Sequence, residues 1–134
     1  MASGFTTATR NAILTARFKT AAPVYGALCT SDPGDIGDLS VAEIAASFGY
    51  ARTACTFATD AAAGSIANTT ACEFPVANGG AFGLITHLAI CTADVEAVED
   101  AIANGSLTAS KQIDDGDQLK FAIGNVTITI AAQA

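Results

Sequence analysis

The sequence predicts a mainly β protein: an antiparallel β-sandwich, jelly-roll-like or barrel-like, with an N-terminal α-helix. Three observations predict it. After Pro23 the chain consists of short apolar runs separated by turn residues, the pattern of sandwiches and barrels. The last runs, 119–123 and 126–130, alternate apolar and polar side chains, the period-two signature of a strand. Only Thr6 to Phe18 has clear helical spacing, with Ile13, Leu14 and Phe18 apolar and Ala8, Ala12 and Ala16 four apart.

Each element follows from local chemistry. Thr6 or Thr7 caps the start of the helix, and Pro23 prevents its continuation. Val24–Thr30 reads as a strand, closed by the turn Ser31-Asp32-Pro33-Gly34-Asp35. In Val41–Ala46 helix and strand compete, because the run is rich in alanine. Tyr50–Ala58 reads as a strand ending in the 59–64 turn, and Ala71–Phe74 as another ending at Pro75. Asn78-Gly79-Gly80 breaks the chain before Gly83–Thr92, which is apolar on both faces as a central strand would be. Asp94–Ala103 fits either a short inserted helix or a strand. At the C-terminus, Gly124-Asn125 suits a two-residue turn. Pairing across it sets Ile123 opposite Val126, Phe121 opposite Ile128 and Leu119 opposite Ile130, all on one face.

The bulk properties bound the answer. A chain of 134 residues is one domain, read as a helical arm over 1–20 and a β body over 24–134. Apolar residues make up 51% and charged residues 14%, the opposite of a disordered chain. The apolar content is dominated by alanine, with seven Phe and no Trp, so burial energy is limited and association with further copies is a plausible source of stability. The net charge of −7 argues against nucleic acid or an anionic membrane as partner. Arg10, Arg17 and Lys19 gather at the N-terminus while acidic groups concentrate in 32–43 and 94–117. That asymmetry suits docking onto an acidic neighbour, or is ordinary solvated charge. Met1–Arg10 has no apolar signal-peptide core, and Ala81–Cys91 is too short to span a bilayer, so synthesis in a cytoplasm is expected. The sequons at Asn68, Asn104 and Asn125 then read as turn chemistry.

The residues capable of chemistry are few. Cys29, Cys55, Cys72 and Cys91 lack the close pairing of a zinc site, and each lies in an apolar run. They read as small buried hydrophobes or as disulfide partners within or between subunits. His87 is the sole histidine. Cys91 lies roughly 13 Å from it along an extended chain, beyond hydrogen-bond reach. Asp114-Asp115-Gly116-Asp117 lacks EF-hand spacing and reads as a polar turn. Arg52, a charge in an apolar run, serves either an acidic group of a neighbouring subunit or an internal ion pair. No metal, cofactor or catalytic residue is expected, and Arg10, Arg17, Arg52 and His87 are candidates for an interface.

Several stretches in this order carry a resemblance: TRNAILTARF, YGALCTSDPGDIGD, FGYARTACTFA, GSIANTTACEFPVA, FGLITHLAICTAD and GSLTASKQIDDGDQLKFAIGNVTITI. Together they resemble a family of small phage structural proteins commonly labelled tail fibre proteins, some of them head decoration or cement proteins. The resemblance covers nearly the whole chain. It implies a β-sandwich-like virion protein, made in the host cytoplasm, that self-associates symmetrically, often as a homotrimer, and catalyses nothing. Its leading implication is a capsid decoration protein that binds the major capsid protein or other virion proteins and stabilises the shell. The alternatives are a tail fibre, collar or neck component, and a receptor- or glycan-binding module with Tyr25 and Tyr50 as its amphipathic aromatics. Family members often carry an aromatic or aliphatic residue where this chain has its four cysteines, which raises the interest of cross-linking.

Overall fold

The computed structural model describes residues 4–96 and 99–132. It has the expected mainly β class, with antiparallel sheets and a short N-terminal helix. The chain forms two compact units. One comprises Met1–Pro23, Cys55–Cys72 and Phe121–Ala134; the other comprises Val24–Ala54 and Glu73–Lys120.

The first unit begins with α1 (Thr7–Leu14), whose N-cap is Thr6: its hydroxyl accepts from the Thr9 amide. The helix runs on as a π-helical segment, Thr15–Thr20, and its apolar stripe places Leu14 and Phe18 in the core. Phe18 meets Phe57 with ring centroids 5.5 Å apart. Against the helix lies β3 (Ser65–Ala67), paired antiparallel with β8 (Thr127–Thr129) so that Ile66 faces Ile128.

One corner of this unit depends on glycine. The Gly64 amide donates to Asn11 Oδ1 at 2.8 Å, and Arg10 Nη1 donates to the Ile130 carbonyl at 2.9 Å. Gly64 has φ +76°, and a Cβ there would overlap the Arg10 guanidinium. We expect Gly64→Ala to destabilise the fold by about 1–3 kcal/mol through left-handed strain, with the steric overlap added to that. A thermal melt that shifts no more than that of Gly34→Ala, whose glycine has a similar φ and open surroundings, would show the overlap to be relieved without cost.

The second unit is built on a four-stranded antiparallel sheet of order β2-β1-β5-β6: β1 is Tyr25–Cys29, β2 Thr53–Ala54, β5 Gly83–Cys91 and β6 Ala101–Ile113. β5 is central, as its apolar character predicts. Ala27 faces Ala89 and Tyr25 faces Cys91 across the β1–β5 ladder. One face of the sheet is made of small side chains, Ala27, Cys29, Ala89 and Cys91, and the short helix α2 (Leu39–Ala42) seats Leu39 and Ala42 on it. Small residues let the helix approach closely, which accounts for cysteine at positions 29 and 91 as packing. Thus the first part of the Val41–Ala46 run resolves as helix, capped by the Asp38 carboxylate.

One expectation changes here, and one open alternative narrows. Tyr50–Ala58 yields only the two-residue strand β2. Beyond Gly26 the β1 edge is taken by other groups: Ile44 donates to the Leu28 carbonyl, and the Leu28 amide donates to the Tyr50 hydroxyl. Segment 94–103 shows bends and a turn up to Glu96, and Ala101 already belongs to β6. Among the described residues it contains no helix, and positions 97–98 lie outside them. β6 is the longest strand and has an open edge. Residues 107–110 form a wide bulge opposite Thr86 alone, and Asn104 Nδ2 donates to the Gly34 carbonyl at 3.0 Å. Bulges and covering loops are how sheet edges avoid indiscriminate pairing.

The second change is the larger. The C-terminal hairpin does not form. β7 (Lys120–Phe121) pairs with β4 (Cys72–Glu73), while β8 pairs with β3. A turn forms one residue earlier than expected, centred on Ile123-Gly124, with Gly124 at φ +83° and the Asn125 amide donating to the Ala122 carbonyl. Asn68 holds its two arms apart. Its Nδ2 donates to the Ala122 carbonyl at 3.1 Å and its Oδ1 accepts from the Val126 amide at 2.9 Å. Its own backbone bonds the Val126 carbonyl and the Gly124 amide. The six apolar residues therefore do not share one face: Val126 is buried and Ile123 is 66% exposed.

Candidate functional site

The densest chemistry among the described residues is a buried ion cluster in the second unit. Arg52 reaches Glu43 through two bonds, Nη2 to Oε1 at 2.8 Å and Nε to Oε2 at 3.0 Å. Its Nη1 donates to Asp100 Oδ1 at 2.8 Å and to the Ala93 carbonyl at 2.9 Å. Tyr50 donates to Glu43 Oε2 at 2.6 Å. The Arg52 and Glu43 side chains are 0% and 1% exposed. Of the two readings of Arg52, the internal ion pair is the one observed. Burial opposes the charge on Arg52, but the hydrogen bonds to Glu43 and Asp100 outweigh it and raise its pKa. Burial and the bond to Glu43 raise that of Tyr50.

This cluster clamps the connection between β5 and β6. Asp100 also accepts from the Thr92 hydroxyl and the Ala93 amide. Partial burial pushes the Asp100 pKa up, and the bonds from Arg52, Ala93 and Thr92 more than reverse this, leaving it below the ordinary carboxylate value. A lowered folded-state pKa stabilises the fold above the ordinary carboxylate range, and that contribution is lost as pH falls through the lowered value. The acid limb of a stability profile should therefore be shallower in Asp100→Asn than in the parent. Identical limbs would remove Asp100 from the acid response.

The other candidate residues are dispersed. Cys55 and Cys72 form a disulfide spanning 17 residues of sequence, with Cα atoms 5.2 Å apart. Cys29 and Cys91 are buried free thiols, and burial is the first cause that pushes both up to about 12. Cys29 faces His87 across the β1–β5 ladder, yet its thiol is raised, the opposite of an activated nucleophile. His87 Nδ1 lies 2.8 Å from the Thr86 hydroxyl. Arg10 is 7% exposed and engaged with Ile130 and Thr7, so its charge is not offered to a neighbour. Lys19 pairs with Asp60, and Arg17 is exposed. Tyr50 is buried, and Asp114–Asp117 is the expected turn, closed by Asp117 N to Asp114 O. Among the described residues, no group of three or more His, Cys, Asp or Glu side chains is placed to hold a metal.

In folded protein under non-reducing conditions, a thiol reagent should modify neither Cys55 nor Cys72, and should reach Cys29 and Cys91 only after denaturation. Reducing the bond, or Cys55→Ser, should cost about 3 kcal/mol, the loop-closure value for a bridge of this span. Four thiols reacting in denatured, unreduced protein would refute the pairing.

Glu43, Tyr50, Asp100 and Asn68 were not singled out as partners by sequence. Only Arg52, a charge within an apolar run, signalled that the cluster existed. Large apolar side chains exposed among the described residues are Ile36 (87% exposed), Val41 (80%), Phe48, Val76, Leu84 and Val95 in the second unit, and Phe5 and Ile123 in the first. Beside Ile36 an open cleft of about 450 Å³ is lined by Asp32, Asp35, Gly37, Ala101 and Asn104.

The model of the podophage GP4 fiber I protein gp80 family matches residues 4–129, which is nearly the entire chain. The chain belongs to that family. It is thus a phage fibre-family protein, a structural component of the virion. The match favours the fibre alternative over the capsid-decoration reading. No curated protein matches the chain.

Proposed function

We propose that this chain is a non-enzymatic structural subunit of a phage fibre that builds its assembly from symmetric contacts with copies of itself and with neighbouring virion proteins. The family match over residues 4–129 is the observation that carries this reading. Surface chemistry supports it. Ile36 and Val41 expose most of their apolar area, and such side chains gain free energy when a partner covers them. The buried Arg52 cluster and the Cys55–Cys72 bond brace a fold in which the sheet face under α2 is built of alanine and cysteine. The acidic net charge of −7 suits contacts with protein rather than with nucleic acid or anionic lipid.

Electron cryomicroscopy of intact particles, combined with gold labelling by an antibody to this chain, tests the assignment. Label confined to the fibres, at a few copies per particle, is the expected result. Label distributed over the capsid lattice would overturn the fibre reading in favour of shell decoration. Light scattering of the purified chain tests the symmetric contact: Ile36→Asp and Val41→Asp should shift an oligomer toward monomer.

A further inference from the structure

We propose that Asn78-Gly79 is a site of covalent self-modification, at which Asp115 acts as general base for conversion of Asn78 to aspartate or isoaspartate. The chain contains two Asn-Gly pairs, and the fold treats them differently. At the first, both residues are exposed and Gly79, at φ +85°, would have nothing within 4 Å of a Cβ. The Gly79 amide donates to Asp115 Oδ1 at 3.0 Å, within the reach required of a group that abstracts that proton. The peptide unit preceding Asn78 is pinned at both its polar groups, Asn78 N donating to the Phe48 carbonyl at 2.9 Å and the Ala77 carbonyl accepting from Gly116 N at 2.7 Å. Among the described residues, no side-chain hydrogen bond restrains the Asn78 carboxamide.

The chemistry balances without a co-reactant other than water. Asp115 takes the proton from Gly79 N, and that nitrogen attacks Asn78 Cγ. The C–N bond to the side-chain nitrogen breaks, and ammonia leaves carrying the returned proton. The resulting cyclic imide is opened by water at either carbonyl, giving aspartate or isoaspartate. A glycine at the attacking position offers no side chain to obstruct ring closure.

Asn104-Gly105 has the same composition and lacks this geometry. Both residues are paired in the β5–β6 ladder, Asn104 with Ala89 and Gly105 with Leu88. The Asn104 carboxamide is held by the Gly34 carbonyl. Ring closure there would break the sheet. At Asn78 the product adds a negative charge beside Asp115 and, as isoaspartate, lengthens the backbone of the turn whose Gly80 lies against the Phe48 ring.

The test is a time course of the full chain at neutral pH, with peptide mass spectrometry reading the amide-to-acid mass gain and isoaspartate at both sites. Folded protein should convert Asn78 while Asn104 stays intact. In urea-unfolded protein the two sites should react alike. Asp115→Ala should slow the folded-state reaction at Asn78 roughly tenfold or more and leave the unfolded rates unchanged. Should that variant fail to fold, the two sites would react alike in buffer; Asp115→Glu, which keeps a carboxylate, would then carry the test by retaining the selectivity for Asn78. Equal rates at both sites of the folded parent chain would overturn the proposal. A folded Asp115→Ala protein that converts Asn78 at the parent rate would do the same.

Discussion

Arg52→Met should destabilise the unit of residues 24–54 and 73–120 by roughly 3–5 kcal/mol, the range for breaking a buried ion pair from one side. The cause is what remains behind. Glu43 would keep its charge with a 1% exposed side chain and retain the Tyr50 hydroxyl among the partners described. Asp100, 13% exposed, would lose the guanidinium that links it to the sheet. Methionine fills much of the same volume, so the loss reports electrostatics rather than a cavity. Removing the facing charge as well, in Arg52→Met/Glu43→Leu, should restore much of the stability, because replacing a buried pair with apolar groups is often near neutral. Urea denaturation of the two variants checks this. A single-variant cost below about 1 kcal/mol, the value of an exposed pair, would mean that water reaches the cluster.

The second large effect is expected at Asn68, which is 2% exposed and bonded to three chain segments. Asn68→Ala removes its side-chain bonds and leaves the Val126 amide and the Ala122 and Thr70 carbonyls without that partner. The Val126 amide is buried, whereas Thr70 and Ala122 are exposed and the Ala122 carbonyl keeps its bond from Asn125 N, so the loss is about 1–3 kcal/mol, most of it at Val126. It should concentrate in unit one. Hydrogen exchange should accelerate in peptides covering 64–70 and 121–130, with β1 and β5 spared. Asn68→Asp should be worse still, because a charged oxygen would replace the amide donor facing two carbonyls. Parent-like exchange at Val126 in either variant would show that the C-terminal strands hold their places without Asn68.

Local chemistry was the legible part of this fold. The Thr6 cap, the helix, the Asp-Pro-Gly and Asp-Gly turns, and the central apolar strand Gly83–Cys91 all follow from interactions between near neighbours or from burial on both faces. So does the positive φ of Gly124, although its turn is centred on Ile123-Gly124, one residue before the expected position. A turn between two alternating segments does not by itself join them as a hairpin. Alternation specifies that a strand has two unlike faces. It does not specify which backbone the strand will bond. Likewise, Arg52 announced a buried charge, but nothing local named Glu43, nine residues earlier, or Asp100, 48 residues later.

The sequence by itself determined the class of structure: mainly antiparallel β with a capped N-terminal helix, an apolar content rich in alanine and an acidic net charge. Periodicity, turn residues and composition are properties of short windows, and they survive folding. Tertiary structure alone decided the partners. It joined Cys55 to Cys72 while burying Cys29 and Cys91 under α2, and it sent the two C-terminal strands to β4 and β3 instead of to each other. It also turned Arg52 inward. The physical reason is that a buried donor or acceptor must find a partner wherever the chain brings one, and distance along the sequence has no bearing on that requirement.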